Sequence, residues 1–275
     1  MDVVQLADAA EFLERAAPLL LADEARNNLI LGIAGTLRDQ PGRYPSSELW
    51  IVEETGVVLT AALRTLPYRL VLAGGTVQPL AAALSDLPGV VAAAHEAEAF
   101  AAAWSARTGA TVTRGVAQGV YALERVVPPT PPAGSSRPAR ESDRGLLLEW
   151  LRSFSLEALD EAADEPSLQR MIDIRVTDEP DYGFVLWEDE GRPVSLTGFG
   201  SPTPTGIRIG PVYTPPQRRG RGYASALVAE VSQSQLDAGR RFCFLYTDLA
   251  NPTSNKIYVD IGYERVCDSL QLDFG

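Results

Sequence analysis

One segment constrains this chain of 275 residues more than any other: Gly210–Tyr223, GPVYTPPQRRGRGY. Ile207-Arg208-Ile209 and Val212-Tyr213 read as a strand, and Gly210-Pro211 breaks its middle, where a bulge or a lost ladder bond is expected. Pro215-Pro216 ends the strand, because neither residue can donate to a sheet. A helix pattern follows, with Ala224, Leu227, Val228 and Val231 on one apolar face and Gly239 placed to terminate it. Strand, turn and helix in this order build a backbone cradle for an anion. The first amides of a helix have no internal partners, and the helix dipole favours negative charge there. Gly220 and Gly222 let the main chain approach a ligand without a Cβ in the way. Arg218, Arg219 and Arg221 add positive charge. Neither the G-x-G-x-x-G spacing nor a loop ending in Gly-Lys-Ser/Thr is present. On spacing alone, a glycine-rich turn beside a solvated arginine cluster explains the segment equally well.

A second segment narrows the choice. Arg241–Thr247, RFCFLYT, is a near-continuous apolar run of the kind a buried strand requires. Asn251 then suits an N-cap, Pro252 a first helical position and Gly262 a C-terminal cap. On that short helix Asn251, Ser254 and Tyr258 share one face, and Ile257 and Ile261 share another. Such a helix packs on a sheet while lining a cleft.

With both segments in place, the chain resembles the GNAT superfamily of N-acetyltransferases. The pattern Gln/Arg-x-x-Gly-x-Gly/Ala stands here as Gln217-Arg218-Arg219-Gly220-Arg221-Gly222. The later element stands as Asn251, Ser254, Tyr258, Gly262 and Tyr263. The resemblance is clear from about Gly183 onward. It implies a mixed α+β fold with a mostly antiparallel sheet flanked by helices, and acetyl-coenzyme A as cosubstrate. By that resemblance Val212, Tyr213 and Thr214 line the pantetheine arm. Gln217, Arg218, Arg219, Gly220, Arg221, Gly222, Tyr223 and Ala224 hold the pyrophosphate. Asn251, Ser254 and Asn255 lie toward the thiol end. Tyr258 is the implied general acid, since a phenol can protonate a departing thiolate within hydrogen-bond reach; the plainer reading is a packed aromatic with a wet hydroxyl. Many relatives carry a carboxylate on the strand before the loop. Here that strand has no acid, and Asp248, Glu157 and Glu161 are the alternatives for the base, each also readable as a solvated or structural charge.

The net charge of −12 argues against nucleic acid, which needs basic patches, and favours a cationic or amine-bearing acceptor; it also serves solubility alone. No metal-ligand spacing occurs, and His95 stands alone in an alanine-rich helical pattern. Ala16–Ala22 is too short to span a bilayer, and no signal peptide is visible. Cys243 and Cys267 read as buried thiols of a reduced, cytoplasmic protein. The expected partner is a small-molecule amine, on a monomer or homodimer, with neither nucleic acid nor membrane.

The length suits two domains. Residues 128–141, rich in Pro, Ser and Gly, read as a linker between an N-terminal domain, 1–127, and a catalytic domain, 142–275. Trp50–Gly56 and Val185–Gly191 form a weak repeat at the same place in each half. A tandem GNAT-like protein with a degenerate first copy is the reading, since after Leu72 the chain runs Ala73-Gly74-Gly75-Thr76-Val77-Gln78-Pro79, without the loop motif; an unrelated α+β domain is the competing one. Helices are expected over Ala7–Leu20, Ala22–Leu37, Gln78–Leu87, Ala92–Thr108 and Arg144–Leu159. Leu147, Trp150, Leu151 and Phe154 form one face of the last. Strands are expected over Leu49–Glu53, Val57–Arg64, Arg69–Leu72, Val116–Val127, Phe184–Asp189 and Pro193–Gly200.

Overall fold

The computed structural model of the chain describes every residue except 41, 160–163 and 178. By contact the chain forms two compact units, Met1–Val120 with Arg265–Gly275, and Tyr121–Glu264. In chain order the elements are β1 (Asp2–Leu6), α1 (Ala9–Leu20), α2 (Asn28–Asp39), β2 (Ser47–Glu54), β3 (Val57–Thr65), β4 (Leu70–Ala73), α3 (Gln78–Ala83), β5 (Gly89–Ala93), α4 (Ala94–Thr108) and β6 (Val112–Leu123). Then follow β7 (Ser135–Pro138), α5 (Arg144–Leu159), α6 (Glu165–Arg175), β8 (Gly183–Asp189), β9 (Arg192–Gly200), β10 (Gly206–Tyr213), α7 (Tyr223–Asp237), β11 (Phe242–Asp248), α8 (Pro252–Asp260) and β12 (Glu264–Phe274). The second series repeats the first, element for element.

In the first unit β1, β2, β3 and β4 pair antiparallel in sequence order, β4 pairs β5 in parallel, and β5 pairs β12 antiparallel. In the second unit β7, β8, β9 and β10 pair antiparallel, and β10 pairs β11 in parallel. Strand alternation sends side chains to both faces of each sheet. Leu49, Ile51, Leu63 and Val71 pack beneath Phe12 and Ala16 of α1 and Ile30 and Ala34 of α2. Trp50, Val52, Leu70 and Leu72 face Leu80 of α3 and Phe100 and Trp104 of α4. The second unit repeats the layers. Leu147, Trp150 and Leu151 of α5 and Ile172 of α6 cover Phe184, Leu186 and Leu196, with Phe154 packed against the same cluster. Tyr223, Leu227, Val228 and Val231 of α7 and Tyr258 of α8 cover Ile207, Ile209, Cys243 and Leu245 on the other face.

The weak repeat in sequence is a shared hairpin. Thr55 and Gly56 join β2 to β3 with φ of 51° and 83°, and Glu190 and Gly191 join β8 to β9 with φ of 52° and 71°. Two successive left-handed residues match the twist of an antiparallel pair. Each hairpin also shifts register close to its turn, at Val52/Glu53 and at Trp187/Glu188.

Some boundaries differ from expectation. The first helix starts at Ala9 because the Asp8 carboxylate accepts from the Ala10 and Glu11 amides at 2.7 and 2.9 Å. The second starts only at Asn28. β5 takes Ala92 and Ala93, read above as helix, since pairing with β4 and β12 outweighs alanine's helical preference. The expected helix Gln78–Leu87 stops at Ala83. The short strands β1 and β7 and the helix α6 carry no pattern strong enough to stand out in sequence. His95 is exposed on α4. Both cysteines are free, and Cys243 is buried. Among the described residues, no helix is long and apolar enough to cross a membrane.

Arg137 of β7 fixes the start of the second unit. Its guanidinium donates to both Asp143 oxygens, at 2.7 and 2.9 Å, and to Glu188 at 2.7 Å. The hydrogen bond from Arg137 holds Asp143 below the ordinary carboxylate range. A depressed carboxylate stabilises the fold above its unfolded pKa, about 4, and loses that contribution as pH falls through the folded value. Arg137→Met is therefore expected to lower stability by about 1–3 kcal/mol in urea denaturation at neutral pH. The gap from the parent protein should narrow below about pH 4.

Candidate active site

The site lies in the second unit and begins where β10 leaves β11. Parallel pairing covers Gly206–Arg208 against Phe242–Phe244, and the strands run on to Tyr213 and Asp248 with no further paired residues among those described. On its other edge β10 stays with β9, but the register shifts between Ile209 and Val212. Gly210, at φ 139°, and a cis peptide to Pro211 occupy the shift, where the sequence placed a break. Val212 and Tyr213 thus pair with Thr197 and Leu196 on one side only.

The chain then enters a 3-10 turn, Pro216–Arg218, and α7. Gly220 and Gly222 have φ of 75° and 82°, and an added Cβ at either would meet nothing within 4 Å. Glycine is required here by conformation rather than by crowding. Gly222 caps α7 without a side-chain bond, and the first helical bond runs from the Ala226 amide to the Gly222 carbonyl at 3.0 Å. The amides of Gly220, Arg221, Gly222, Tyr223, Ala224 and Ser225 have no acceptor among the described residues. Gln217 and Arg221 are exposed, and Arg218 is half-buried.

Arg219 has a different place from its neighbours. Its Nε donates to the Thr214 carbonyl at 2.8 Å, and its Nη2 pairs with Glu157 at the end of α5. The Tyr213 hydroxyl donates to the same carboxylate at 3.1 Å, and the guanidinium lies 5.9 Å from the Tyr213 ring centre. Burial raises the Tyr213 pKa, which keeps the phenol a donor. The Thr214 hydroxyl meets the Ser195 hydroxyl at 2.8 Å. At the start of α7 the Tyr223 ring is buried, and its hydroxyl is held by Asp189, which raises the phenol's pKa.

The β11 side is built by side chains that stitch a turn. Asn251 caps α8, its Oδ1 accepting from the Ser254 amide at 3.1 Å. Asn255 Nδ2 donates to the Asp248 and Asn251 carbonyls at 3.0 and 2.9 Å. Its Oδ1 is buried and meets no donor among the described residues. Asp248 accepts from the Ala250 amide at 2.8 Å. Ser254 is half-buried. Tyr258 is 8% exposed, its ring 6.0 Å from that of Tyr263 in an edge arrangement. Burial alone pushes its pKa up to about 12.

Of the acids considered for the base, Glu157 and Asp248 are both engaged in contacts that shape the loop and the turn, and Glu161 lies outside the described residues. Two groups near the bulge escaped the sequence reading: Arg175 of α6, whose Nη1 donates to the Gly210 carbonyl at 2.8 Å, and Arg208 of β10. The glycines Gly198 and Gly200 inside a strand pattern were the available signal, since strand glycines mark close approach of another group.

The equivalent place in the first unit is closed. A Cβ at Gly74 would lie 2.3 Å from the Leu59 carbonyl oxygen, and the Thr60 hydroxyl donates to the Thr76 carbonyl at 2.9 Å. That turn therefore lies flat on β3. The Glu96 carboxylate takes the Gly74 amide at 3.4 Å and pairs with Arg26 at 2.8 Å. Pro79 removes a further donor from the first turn of α3.

Residues 146–263 match the model of the acetyltransferase (GNAT) family. The match begins well before the stretch in which the motifs were legible. A GCN5-related N-acetyltransferase from Sphaerobacter thermophilus is 18% identical, with a TM-score of 0.62 over 99% of this chain and 95% of that one. An acetyltransferase from the GNAT family of Colwellia psychrerythraea is 12% identical, with a TM-score of 0.59 over 100% of both chains. A tandem GNAT protein from the clavulanic acid biosynthesis pathway is 15% identical, with a TM-score of 0.59 over 100% of this chain and 98% of that one. No curated protein matches the sequence. At such identities the solved structures share the fold, and they share it along the full chain. The chain has a tandem GNAT fold, and its residues 146–263 match the acetyltransferase (GNAT) family model.

Proposed function

We propose that the second unit binds acetyl-coenzyme A and transfers its acetyl group directly to the amine of a small molecule. The observation that carries this reading is the row of outward amides from Gly220 to Ser225 at the mouth of the β10–β11 gap. Unsatisfied amides at a helix start, held open by left-handed glycines, suit a pyrophosphate. The rest of the gap suits the remainder of the molecule. Among the described residues, Val212 and Tyr213 have one backbone edge without a strand partner, which suits the pantetheine amides, and the Asn255 Oδ1 is a buried acceptor that meets no donor. Arg218 and Arg221 add charge, whereas Arg219 braces the loop.

The cosubstrate supplies a thioester whose thiolate leaves as the amine nitrogen bonds to the carbonyl carbon. Tyr258 is the group that returns a proton to that thiolate. Its raised pKa keeps the phenol protonated at every physiological pH. β10 has no acid, so removal of the amine proton falls to a group off that strand. Among the described residues, Glu157 on α5 and Asp248 on β11 are the candidate acids, each of which would have to give up a structural contact. The same lack of a strand acid favours one other reading, an acyl-coenzyme A-binding sensor that performs no transfer. Thiol release across a panel of amines separates the two.

Tyr258→Phe is expected to lower kcat by about 10²–10⁴ while calorimetry shows unchanged acetyl-coenzyme A affinity; equal turnover removes Tyr258 from the chemistry. Because its pKa is about 12, Tyr258 should impose no loss of kcat between pH 6 and about 10. Gly222→Ala forces a Cβ into the left-handed region, at a cost of about 1–2 kcal/mol. It should weaken acetyl-coenzyme A binding about tenfold. Saturable binding by the parent protein is the first requirement, and its absence in calorimetry refutes the proposal.

A further inference from the structure

We infer that Ser232 and Tyr263 are positioning residues for Tyr258: the bond between their hydroxyls ties the ring of the acid to α7, the helix whose first turn carries the outward amides; this rests on the transferase reading above. The Tyr258 hydroxyl has no hydrogen-bond partner among the described residues, so its place is set by how the ring packs. That ring meets the ring of Tyr263 edge-on, with centres 6.0 Å apart and planes at 67°. Tyr263 is 1% exposed, and its hydroxyl lies 2.8 Å from that of Ser232, a fully buried residue of α7. Burial raises the Tyr263 pKa well above the ordinary phenol value, so the two hydroxyls form a neutral bond. The Cys243 thiol of β11 donates in turn to the Ser232 carbonyl at 3.6 Å.

The other end of Tyr263 is fixed by backbone. Its amide donates to the Tyr258 carbonyl at 3.0 Å, and the Val127 amide donates to the Ile261 carbonyl at 2.9 Å. Between them Gly262, at φ 104°, lies so close to the chain that a Cβ there would stand 2.7 Å from the Arg125 carbonyl oxygen. Tyr263 is thus held at its backbone and at its tip. Edge-on aromatic pairs have a preferred geometry, so a ring locked in this way orients its neighbour. A helix is one rigid element, and α7 carries the outward amides at one end and Ser232 further along. The same helix therefore sets where a pyrophosphate docks and where the Tyr258 ring sits, which registers the acid against the thiol of a bound cosubstrate. Such registration matters, because a misplacement of about 1 Å can cost about a hundredfold in rate. Filling the core at position 263 requires only the ring; the hydroxyl adds an orientation that burial alone does not supply.

The test measures thiol release from acetyl-coenzyme A by the full chain, expressed per binding site, with the sites counted by calorimetry. Tyr263→Phe and Ser232→Ala are each expected to lower kcat per site about tenfold, with acetyl-coenzyme A affinity unchanged. The double variant Ser232→Ala/Tyr263→Phe leaves no hydroxyl without its partner and should lose no more than either single variant, since the pair acts as one unit. A role in the core alone would lower the number of competent sites and leave kcat per site intact. That result, or additive losses in the double variant, overturns the inference. A second readout needs no turnover. In protein with isotope-labelled tyrosine rings, the NMR signal of Tyr258 is assigned by its loss in Tyr258→Phe. It should shift in Ser232→Ala, which alters only the far end of Tyr263, and an unmoved signal overturns the inference. If the parent protein binds no acetyl-coenzyme A or acetylates no amine, the transferase reading fails instead. The Tyr258 signal then decides the positioning: a shift in Ser232→Ala supports it, and no shift overturns it.

Discussion

The site depends on a strand that stops pairing. β10 shares hydrogen bonds with β11 only as far as Arg208 and Phe244, and a bulge at Gly210-Pro211 then redirects it. Backbone groups withdrawn from a sheet must find partners elsewhere, and an edge opening inside a fold is costly unless something fills it. The covering helices keep the sheet intact around the gap. α7 and α8 close one face, and α5 and α6 the other. The loop after β10 is then held from outside by Arg219, Thr214 and Glu157, and α7 is held by Tyr223 and Asp189. These contacts fix the loop and the start of α7.

The two units show what one architecture does with and without such an opening. Both have the same element order, the same pair of helical layers and the same left-handed hairpin turn. In the first unit the turn after β4 is pressed onto Leu59 and Thr60, and the carboxylate of Glu96 already accepts from its amide. An anion cannot compete for a donor that an internal anion holds within a closed turn. In the second unit the glycines face open space, and the loop amides have no acceptor among the described residues. A few residues after one strand separate a turn closed by internal contacts from one that faces open space.

Much of this was legible in the sequence, for physical reasons. The bulge at Gly210-Pro211, the Asn251 cap and the apolar face Leu147, Trp150, Leu151 depend on local rules of backbone and periodicity. β5 was not legible, because Ala92 and Ala93 run on into the alanine-rich stretch of α4 and become strand only through neighbours distant in sequence. The contact of Arg219 with Glu157 joins residues far apart along the chain, and the placement of Arg175 at the Gly210 carbonyl does the same. Local patterns carry no record of such meetings. The same limit turned three arginines of one turn into a uniform cluster on paper, whereas in space one of them is a brace.

The placement of the last strand bears on how the chain comes to be made. Ser269–Asp273 pair with Gly89–Ala93, Arg69 reaches Asp273 at 2.6 Å, and Phe274 stacks on Trp104 with ring centres 5.5 Å apart. The first unit is therefore finished by residues that leave the ribosome after the whole second unit has been synthesised. Domain-by-domain folding during translation is the usual order. Here the earlier unit must wait with one edge of its sheet exposed, and its closing contact between Arg69 and Asp273 spans 204 residues of sequence, which makes its completion a late and slow event.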